Sequence, residues 1–196
     1  MEIGGWLVAA DGDPAATGFY ICDDSGDQVY PDVAYSAYGD QWLVVWEDHR
    51  AGGVNYDIYG QRVAAPGSLA GHALAIYNPA EEQAYPAVAA SPGTDGFVIV
   101  FSDYATNDIA GRIVLPDGGV RALLITVSLP VGDQQQAAIA YNSQDGEYLV
   151  VWHDQRAGNW DIYGQRVGLD GTLLEQTFPI CTDASNQLNP AVAYNL

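Results

Sequence analysis

Residues 148–167 read YLVVWHDQRAGNWDIYGQRV, and residues 42–63 read WLVVWEDHRAGGVNYDIYGQRV. A shorter version of the same stretch, FVIVFSDYATNDIAGRIV, occupies residues 97–114. Each copy holds two runs of about four to seven residues that are rich in Val, Ile, Tyr and Trp and bounded by Asp, Asn and Gly, which indicates β-strands. No segment shows a 3.6-residue apolar period over the length of a helix. The sequence therefore predicts an all-β chain.

Two further elements complete the repeat. A first strand recurs at residues 29–35, 84–90, 135–141 and 188–194, and each copy follows a glutamine, with spacings of 55, 51 and 53 residues. A short apolar fourth element lies at residues 73–76, 122–127 and 178–180. Asp-Gly pairs at 11–12, 117–118 and 170–171 favour tight hairpins before this fourth element. Four antiparallel strands in each repeat of about 50 residues predict the blades of a β-propeller.

The two ends of the chain are predicted to share one blade. Whole blades are expected at 29–83, 84–134 and 135–187, and a composite blade is expected from 1–28 plus 188–196. Residues 3–27 align without a gap on 162–186, but Trp6-Leu7-Val8 also aligns on Trp42-Leu43-Val44, so two registers remain open. With either register, the expected fold is one domain, a four-bladed propeller closed by its terminal strands, which removes the open sheet edges.

Cys22 and Cys181, the two cysteines, occupy equivalent places in the repeat. Two free buried thiols and a disulfide that joins the ends of the chain are both compatible with the sequence.

The chain is strongly acidic. Its 196 residues include 25 acidic groups and six basic groups, all arginine, for a net charge of −19. Such a charge repels phosphate backbones and anionic lipid surfaces, so we expect neither nucleic-acid nor membrane partners. The absence of lysine favours an extracellular or cell-surface location, although Met1 is not followed by a secretory signal pattern.

One end of the predicted propeller collects the polar and aromatic groups of the repeat. Because strand direction alternates, the loop from the second to the third strand lies at the same end as the segment that enters the next blade. The candidate ligand-binding residues at this end are Asp48, Arg50, Tyr56, Asp154, Arg156, Trp160, Gln28, Gln83, Gln134 and Gln187. Planar hydrogen-bonding groups beside aromatic rings are the groups that bind sugars.

A structural role for the same residues is the interpretation that the repeat favours. Asp-x-Arg can tie down a loop, and the repeated glutamines can cap backbone groups between blades. The second whole blade has Asp103-Tyr104 where the others have Asp-x-Arg, so a site built on arginine would be asymmetric.

The pattern PxVAYN, YLVVWxDxRAG, DIYGQRV and DG resembles propeller repeats of large secreted or surface bacterial proteins. It is also similar to the sialidase-type repeat, in which an Asp-box follows a WxDxR-like stretch; of that box, VGLDGTL from Val167 keeps Asp170-Gly171. The count of four blades is that of hemopexin-like propellers. The resemblance implies a propeller fold and leaves the function open, since propellers host many unrelated activities.

The resulting functional hypothesis is a non-catalytic module that binds carbohydrate. The alternatives are an assembly propeller whose composite blade is completed by a neighbouring subunit, and a sialidase-like hydrolase. The hydrolase would need a third convergent arginine, and only Arg50 and Arg156 match the loop position. The chain lacks Gly-x-Ser-x-Gly and His-Glu-x-x-His patterns. We expect no cofactor apart from a candidate calcium site at Asp23, Asp24 and Asp27.

Overall fold

The structure, a computed structural model, describes residues 1–9, 11–14, 18–50, 55–65, 67–93, 96–128 and 132–195. Ala51, Gly52 and Leu196, which belong to the predicted repeat, lie outside the described residues. The described residues form fourteen β-strands and no helix. In particular, they contain no helix long and apolar enough to cross a membrane. The prediction of an all-β chain is confirmed.

The strands form one two-stranded and three four-stranded antiparallel sheets. The first sheet consists of β1 (Ile3–Gly5) and β2 (Phe19–Cys22). The second sheet consists of β3 (Gln28–Ser36), β4 (Gln41–Asp48), β5 (Asp57–Ala64) and β6 (Ser68–Tyr77). The third sheet consists of β7 (Gln83–Ala90), β8 (Phe97–Asp103), β9 (Asp108–Val114) and β10 (Ile125–Thr126). The fourth sheet consists of β11 (Gln134–Asn142), β12 (Glu147–Asp154), β13 (Asp161–Gly168) and β14 (Leu173–Cys181).

Each full copy of the sequence repeat therefore forms one sheet whose strands are neighbours in chain order. The hairpins use the residues that tight turns require. Gly12, Gly118 and Gly171 of the Asp-Gly pairs have φ values of 89°, 94° and 89°. L side chains rarely adopt this left-handed region, and glycine enters it without steric cost.

The first sheet settles the register of the N-terminal segment. Ile3 pairs with Cys22 and Gly5 pairs with Phe19, just as Ile162 pairs with Cys181 and Gly164 pairs with Phe178. Residues 3–22 therefore correspond to the third and fourth strands of a repeat. The alternative alignment, of Trp6 on Trp42, is wrong: residues 6 and 7 lie outside the strands, and Trp6 is 60% exposed.

The predicted sharing of one sheet by the two ends is not observed in the described residues. β1 pairs with β2, whereas residues 188–195 are in no strand. The physical reason is the order of strands within a repeat. A first strand pairs with a second strand, and the second strand pairs with the third. The chain supplies a third and a fourth strand at its start and a first strand at its end, so the strand that would connect them is missing from the described residues.

Aromatic side chains of the second strands fill the spaces between neighbouring sheets. Trp46, Phe101 and Trp152 are each 0% exposed and belong to three successive apolar clusters. This confirms their prediction as core residues. Truncating a buried Phe or Trp to Ala costs about 3–5 kcal/mol, so each ring is a major part of the contact between two sheets.

A polar contact beside each aromatic residue also joins neighbouring sheets. The residue that follows the ring accepts a hydrogen bond from a backbone N–H of the next first strand. The three pairs are Tyr85 N to Glu47 Oε1 at 2.6 Å, Gln136 N to Ser102 Oγ at 3.1 Å, and Asn189 N to His153 Nδ1 at 3.4 Å. The third pair holds the C-terminal segment against the fourth sheet, although that segment is in no strand.

The three donors of these bonds and Tyr30 share an unusual backbone conformation. Tyr30, Tyr85, Gln136 and Asn189 occupy the same repeat position and have φ values of 50°, 54°, 52° and 54°. In β3, β7 and β11 this position lies in a β-bulge, where the pairing register shifts. A left-handed conformation costs a residue with a side chain about 1–2 kcal/mol, and a bulge can impose it. Asn189 has this same left-handed conformation, although residues 188–195 are in no strand.

The carboxyl group of Glu47 makes stability depend on pH. Burial raises the pKa of Glu47 to about 7, the hydrogen bond from Tyr85 opposes this shift, and the charge of Glu82 adds to it. A raised pKa means that the folded protein binds the proton more tightly than the unfolded chain, so stability falls as pH rises from about 4.5 through 7. We expect Glu47→Gln, which keeps an oxygen acceptor, to raise the free energy of unfolding at pH 8 by about 1–3 kcal/mol.

Denaturant unfolding at pH 5 and pH 8 tests this expectation. The gain from Glu47→Gln should be largest at pH 8 and should shrink at pH 5, where the native carboxyl group is mostly protonated. Glu81→Gln is a control at an exposed carboxyl group. Equal effects of Glu47→Gln at both pH values would contradict the assignment.

Candidate functional site

The residues predicted to share one face do lie at the same end of the sheets. Gln28 pairs with Asp48, Gln83 pairs with Asp103, and Gln134 pairs with Asp154 in the registers of the three four-stranded sheets. The start of each first strand is thereby fixed beside the end of the second strand of its own sheet. The structure thus brings the repeated Asp and Gln residues together, as the alternation of strand direction predicts.

Asp154 and Arg156 form a closed unit within the fourth sheet. Asp154 is 0% exposed and accepts hydrogen bonds from Trp152 Nε1 at 3.1 Å, Arg156 Nε at 2.9 Å and Arg156 Nη2 at 2.5 Å. The backbone N–H of Arg156 donates to the same carboxylate at 2.8 Å. The guanidinium also lies 4.0 Å from the ring centre of Tyr163. The side-chain hydrogen bond with Asp154 raises the pKa of Arg156, so this cation is held by the fold.

The second sheet repeats this unit with Asp48 and Arg50. Asp48 accepts from Trp46 Nε1 at 2.7 Å and from Arg50 Nε at 2.9 Å, and the guanidinium lies 4.0 Å from the ring centre of Tyr59. Arg50 Nη1 also contacts Asp24 at 2.6 Å. Burial lowers the pKa of Arg50, but the hydrogen bond and the charges of Asp48 and Asp24 outweigh burial and raise it. The contacts of both arginines match the structural role described in the sequence analysis.

The third sheet has the carboxylate without the arginine. Asp103 is 3% exposed and accepts a hydrogen bond from the backbone N–H of Ala105 at 3.1 Å. The loop of the third sheet therefore differs in charge from the loops of the second and fourth sheets, as the sequence of this repeat predicts.

The repeated glutamines hold the segments that lead into the first strands. Their Nε2 atoms donate to backbone carbonyls two residues earlier, and Gln28 and Gln187 also reach a carbonyl four residues earlier. Gln28, Gln83 and Gln134 are at most 1% exposed. Such buried amides satisfy carbonyls that no strand partner reaches.

Tyr56 and Trp160 lie beside the histidines of the same face. The ring of Tyr56 is 4.9 Å from that of His49, and the ring of Trp160 is 4.7 Å from that of His153. Their backbone carbonyls accept hydrogen bonds from the N–H groups of Gln83 and Gln187, at 2.8 and 2.7 Å. Both aromatic side chains are half-buried, so their rings brace the entry to the next repeat.

A shallow pocket of about 290 Å³ lies where the four copies of the first strand converge. It is lined by Tyr30, Pro31, Tyr85, Pro86, Gln136, Ala137, Asn189 and Pro190. These are four consecutive pairs from the same repeat position. The ring centres of Tyr30 and Tyr85 are 5.3 Å apart in an edge-to-face arrangement, and Tyr30 is 58% exposed. We call this depression the axial pocket.

Sequence reasoning missed the axial pocket because it searched for residue types that recur. The lining positions vary from one repeat to the next, as Tyr, Tyr, Gln and Asn, within a strand that otherwise recurs. That variation within a fixed pattern was the available signal. The eight lining residues include no carboxylate, histidine or cysteine, and their hydroxyl groups are those of Tyr30 and Tyr85.

Acidic groups lie near Tyr104, which in turn lies near Tyr85 of the pocket lining. Burial raises the pKa of Tyr104 to about 12, and the neighbouring Tyr85, Glu82, Glu47 and Asp133 contribute in the same direction. A negative environment of this kind disfavours anionic ligands.

The predicted calcium site does not form a cluster. The carboxylate of Asp24 contacts Arg50, and that of Asp27 contacts the N-terminal amino group at 2.7 Å. Among the described residues no group of three or more His, Cys, Asp or Glu residues could hold a metal ion. Cys22 and Cys181 are free thiols, and burial raises the pKa of Cys22.

Comparison with known proteins gives the fold class. No family model matches the chain, and no curated protein matches it. A solved structure of a protein assigned as TolB from Agrobacterium tumefaciens is similar at a TM-score of 0.51 and 15% identity, over 94% of this chain. A mutant puromycin hydrolase in complex with PGG gives a TM-score of 0.47 and 18% identity, over 82% of this chain. The chain spans 57% of the TolB chain and 25% of the hydrolase chain.

The similarity to the TolB structure shows an all-β fold of the β-propeller type. It extends over 94% of this chain. At 15% identity the similarity concerns the fold alone.

The Asp–Arg unit predicts a loss of stability when the cation is removed. Arg156→Ala leaves the carboxylate of Asp154 buried without its charge partner, which costs about 3–5 kcal/mol. We expect the melting temperature to fall by several degrees, and calorimetry measures the change. Arg121→Ala, which removes a guanidinium from a partly exposed loop, is the matched control and should change stability by no more than about 0.5 kcal/mol. Equal melting temperatures for both variants would show that Arg156 is not part of the structural unit.

Proposed function

We propose that the chain is a non-catalytic, four-bladed β-propeller module that binds a neutral carbohydrate in the axial pocket. The observation that carries the proposal is the convergence of four left-handed residues of one repeat position around one depression. The conformation of Asn189 matches that of Tyr30, Tyr85 and Gln136 and supports a fourth blade position for the C-terminal segment.

The chemistry of the lining supports a sugar as the ligand. Two phenol rings offer apolar faces and hydroxyl groups, and the side chains of Gln136 and Asn189 offer amide donors and acceptors. The lining carries no formal charge and the chain is strongly acidic, so a neutral sugar fits better than a sialic acid or a phosphate. Recognition of an extracellular or cell-surface glycan is the setting that we propose.

The proposal moves the binding residues away from Arg50 and Arg156. Their guanidinium groups are bound to buried carboxylates and lie over tyrosine rings. A ligand that recruited them would have to break these contacts. The side chains around the axial pocket carry no charge to pair with a buried carboxylate, and Tyr30 is 58% exposed.

A glycan array followed by calorimetric titration of any ligand found tests the proposal. The test variants are Tyr30→Asn and Tyr85→Asn, because asparagine occupies this position and this backbone conformation at residue 189. We expect the double variant to fold normally. Its dissociation constant for the sugar should be about tenfold higher or more, since the variant loses two aromatic contacts.

Tyr38→Asn is the matched control, because Tyr38 is 47% exposed in the turn between β3 and β4, at the other end of the strand. It should bind as the unmodified chain does. A blank array from folded protein, or undiminished binding by the double variant, would refute a sugar site in the axial pocket.

A further inference from the structure

Two aspartates face each other where the second strand of each four-stranded sheet ends and the third begins. The three pairs are Asp48 with Asp57, Asp103 with Asp108, and Asp154 with Asp161. Side chains directly opposite in an antiparallel pair have Cβ atoms about 4.5–5.5 Å apart, and like charges there are destabilising. A positive charge beside each pair relieves this repulsion.

The second and fourth sheets supply that charge from an arginine of the chain. Nη2 of Arg50 lies 2.6 Å from Oδ2 of Asp48, and Nη2 of Arg156 lies 2.5 Å from Oδ2 of Asp154. Burial and the charge of Asp48 raise the pKa of Asp57, and the charge of Arg50 opposes them. The guanidinium of Arg50 therefore acts on both members of its pair.

The third sheet keeps the geometry of the loop and lacks the cation. The backbone N–H of Ala105 donates to Asp103 at 3.1 Å. The backbone N–H groups of Arg50 and Arg156 donate in the same way, two residues after the aspartate of their own sheets, at 2.8 Å. Ala105 thus occupies the position of the two arginines.

The surroundings of the third pair do not replace the missing guanidinium. Arg112 lies on the same sheet, but its Nη1 donates to backbone carbonyls at residues 121 and 122, and its guanidinium carbon lies 5.0 Å from the ring centre of Tyr77. Within the described part of the chain, neither Asp103 nor Asp108 forms an ion pair. Two opposed carboxylates are therefore left without a cation from the chain.

One oxygen of this pair is both buried and unpartnered. Asp103 is 3% exposed and Asp108 is 4% exposed. Oδ1 of Asp108 is buried and has no hydrogen-bond partner among the described residues. Burial raises the pKa of Asp108, a hydrogen bond from Thr106 lowers it, and the nearby charge of Asp103 raises it again. A buried carboxylate oxygen without a partner is costly, and a bound ion removes that cost.

We propose that Asp103 and Asp108 bind one calcium ion, which takes the place that an arginine has in the second and fourth sheets. Two carboxylates balance the charge of one Ca²⁺. The hydroxyl groups of Thr106 and Tyr77, which are hydrogen-bonded to Asp108 and Asp103, are neutral oxygen atoms close to the pair.

The chemistry of the pair favours Ca²⁺ over Mg²⁺. Ca²⁺ accepts about six to eight oxygen ligands in a flexible arrangement, whereas Mg²⁺ demands a regular octahedron and releases its water reluctantly. The net charge of −19 attracts divalent cations to the whole chain. None of the four residues lines the axial pocket, so this proposal is independent of sugar binding.

Calorimetric titration of the EDTA-treated chain with calcium chloride is the direct test. An ionic strength of about 0.15 M screens the exposed carboxylates. We expect one saturable site for each chain, and a rise in melting temperature of about 5 °C or more at a hundredfold excess over the dissociation constant. Asp108→Asn should abolish both effects. Asp23→Asn is the matched control, because Asp23 is an exposed carboxylate of the acidic turn after β2, and this variant should bind as the unmodified chain does.

A second variant keeps the test decisive if Asp108→Asn disturbs the fold. Ala105→Arg supplies the guanidinium of the other two sheets, and Ala105 is exposed, so the loop can accept a longer side chain. We expect the melting temperature without calcium to rise by about 2 °C or more and the calcium response to disappear. Ala105→Gln, which has a long side chain without the charge, should keep the calcium response.

Absence of saturable binding, together with a melting temperature that calcium does not change, would overturn the proposal, because the pair would then be neutralised by a proton. Unchanged calcium binding by both Asp108→Asn and Ala105→Arg would also overturn it, since the ion would then lie elsewhere on the acidic surface. Loss of binding in Asp23→Asn would place the ion at the turn after β2 instead.

Discussion

A buried carboxylate at the end of each second strand determines how the repeat is built. Asp48, Asp103 and Asp154 are at most 3% exposed, and a buried charge is tolerated only when it is paired or hydrogen-bonded. Trp46 and Trp152 meet this requirement with their indole N–H groups, and Arg50 and Arg156 with their guanidinium groups. The same aspartates lie opposite the glutamines that begin the first strands. The hydrogen bonds of this buried carboxylate therefore hold the loop after the second strand and the aromatic core residue, beside the start of the first strand.

Because this interaction uses the recurring residues, they stabilise the fold. The residues that vary between repeats are the ones that can contact a ligand. The arginines with the right chemistry for a ligand are bound to Asp48 and Asp154, and the glutamines cap carbonyls. The left-handed position carries Tyr30, Tyr85, Gln136 and Asn189. At Tyr85, Gln136 and Asn189 the backbone N–H donates a hydrogen bond to the preceding sheet. The side chains at that position therefore differ in type from one repeat to the next, and the rings of Tyr30 and Tyr85 contact each other.

Much of the fold could be predicted because it rests on local patterns. Runs rich in Val, Ile, Tyr and Trp and Asp-Gly turns indicate the strands, and the size of Trp46 and Trp152 favours their placement between sheets. The register of residues 3–22 could not be chosen from sequence, because Trp6-Leu7-Val8 matches a second strand in residue type. The structure separates the two alignments through the pairing of Ile3 with Cys22, a long-range contact that local residue types do not encode.

The candidate site was harder to predict for a different physical reason. An arginine that binds a ligand and one that neutralises a buried aspartate look the same in sequence, since both need a loop and a nearby carboxylate. Burial decides between them, and burial is a property of the assembled sheets. The bulge at Tyr30, Tyr85 and Gln136 has no residue signature either, because it is imposed by the pairing of the whole strand.

The bulge has a consequence for how such a protein can change. Its backbone conformation is specified by strand pairing and accepts phenol, carboxamide and, by its φ value, glycine alike. Each of the four residues around the axial pocket can therefore be substituted separately, without disturbing the buried aspartates of the sheets. The recurring repeat therefore holds, at this one position, a set of side chains that can be adjusted independently. A change in the lining of the axial pocket then needs no new fold and little loss of stability.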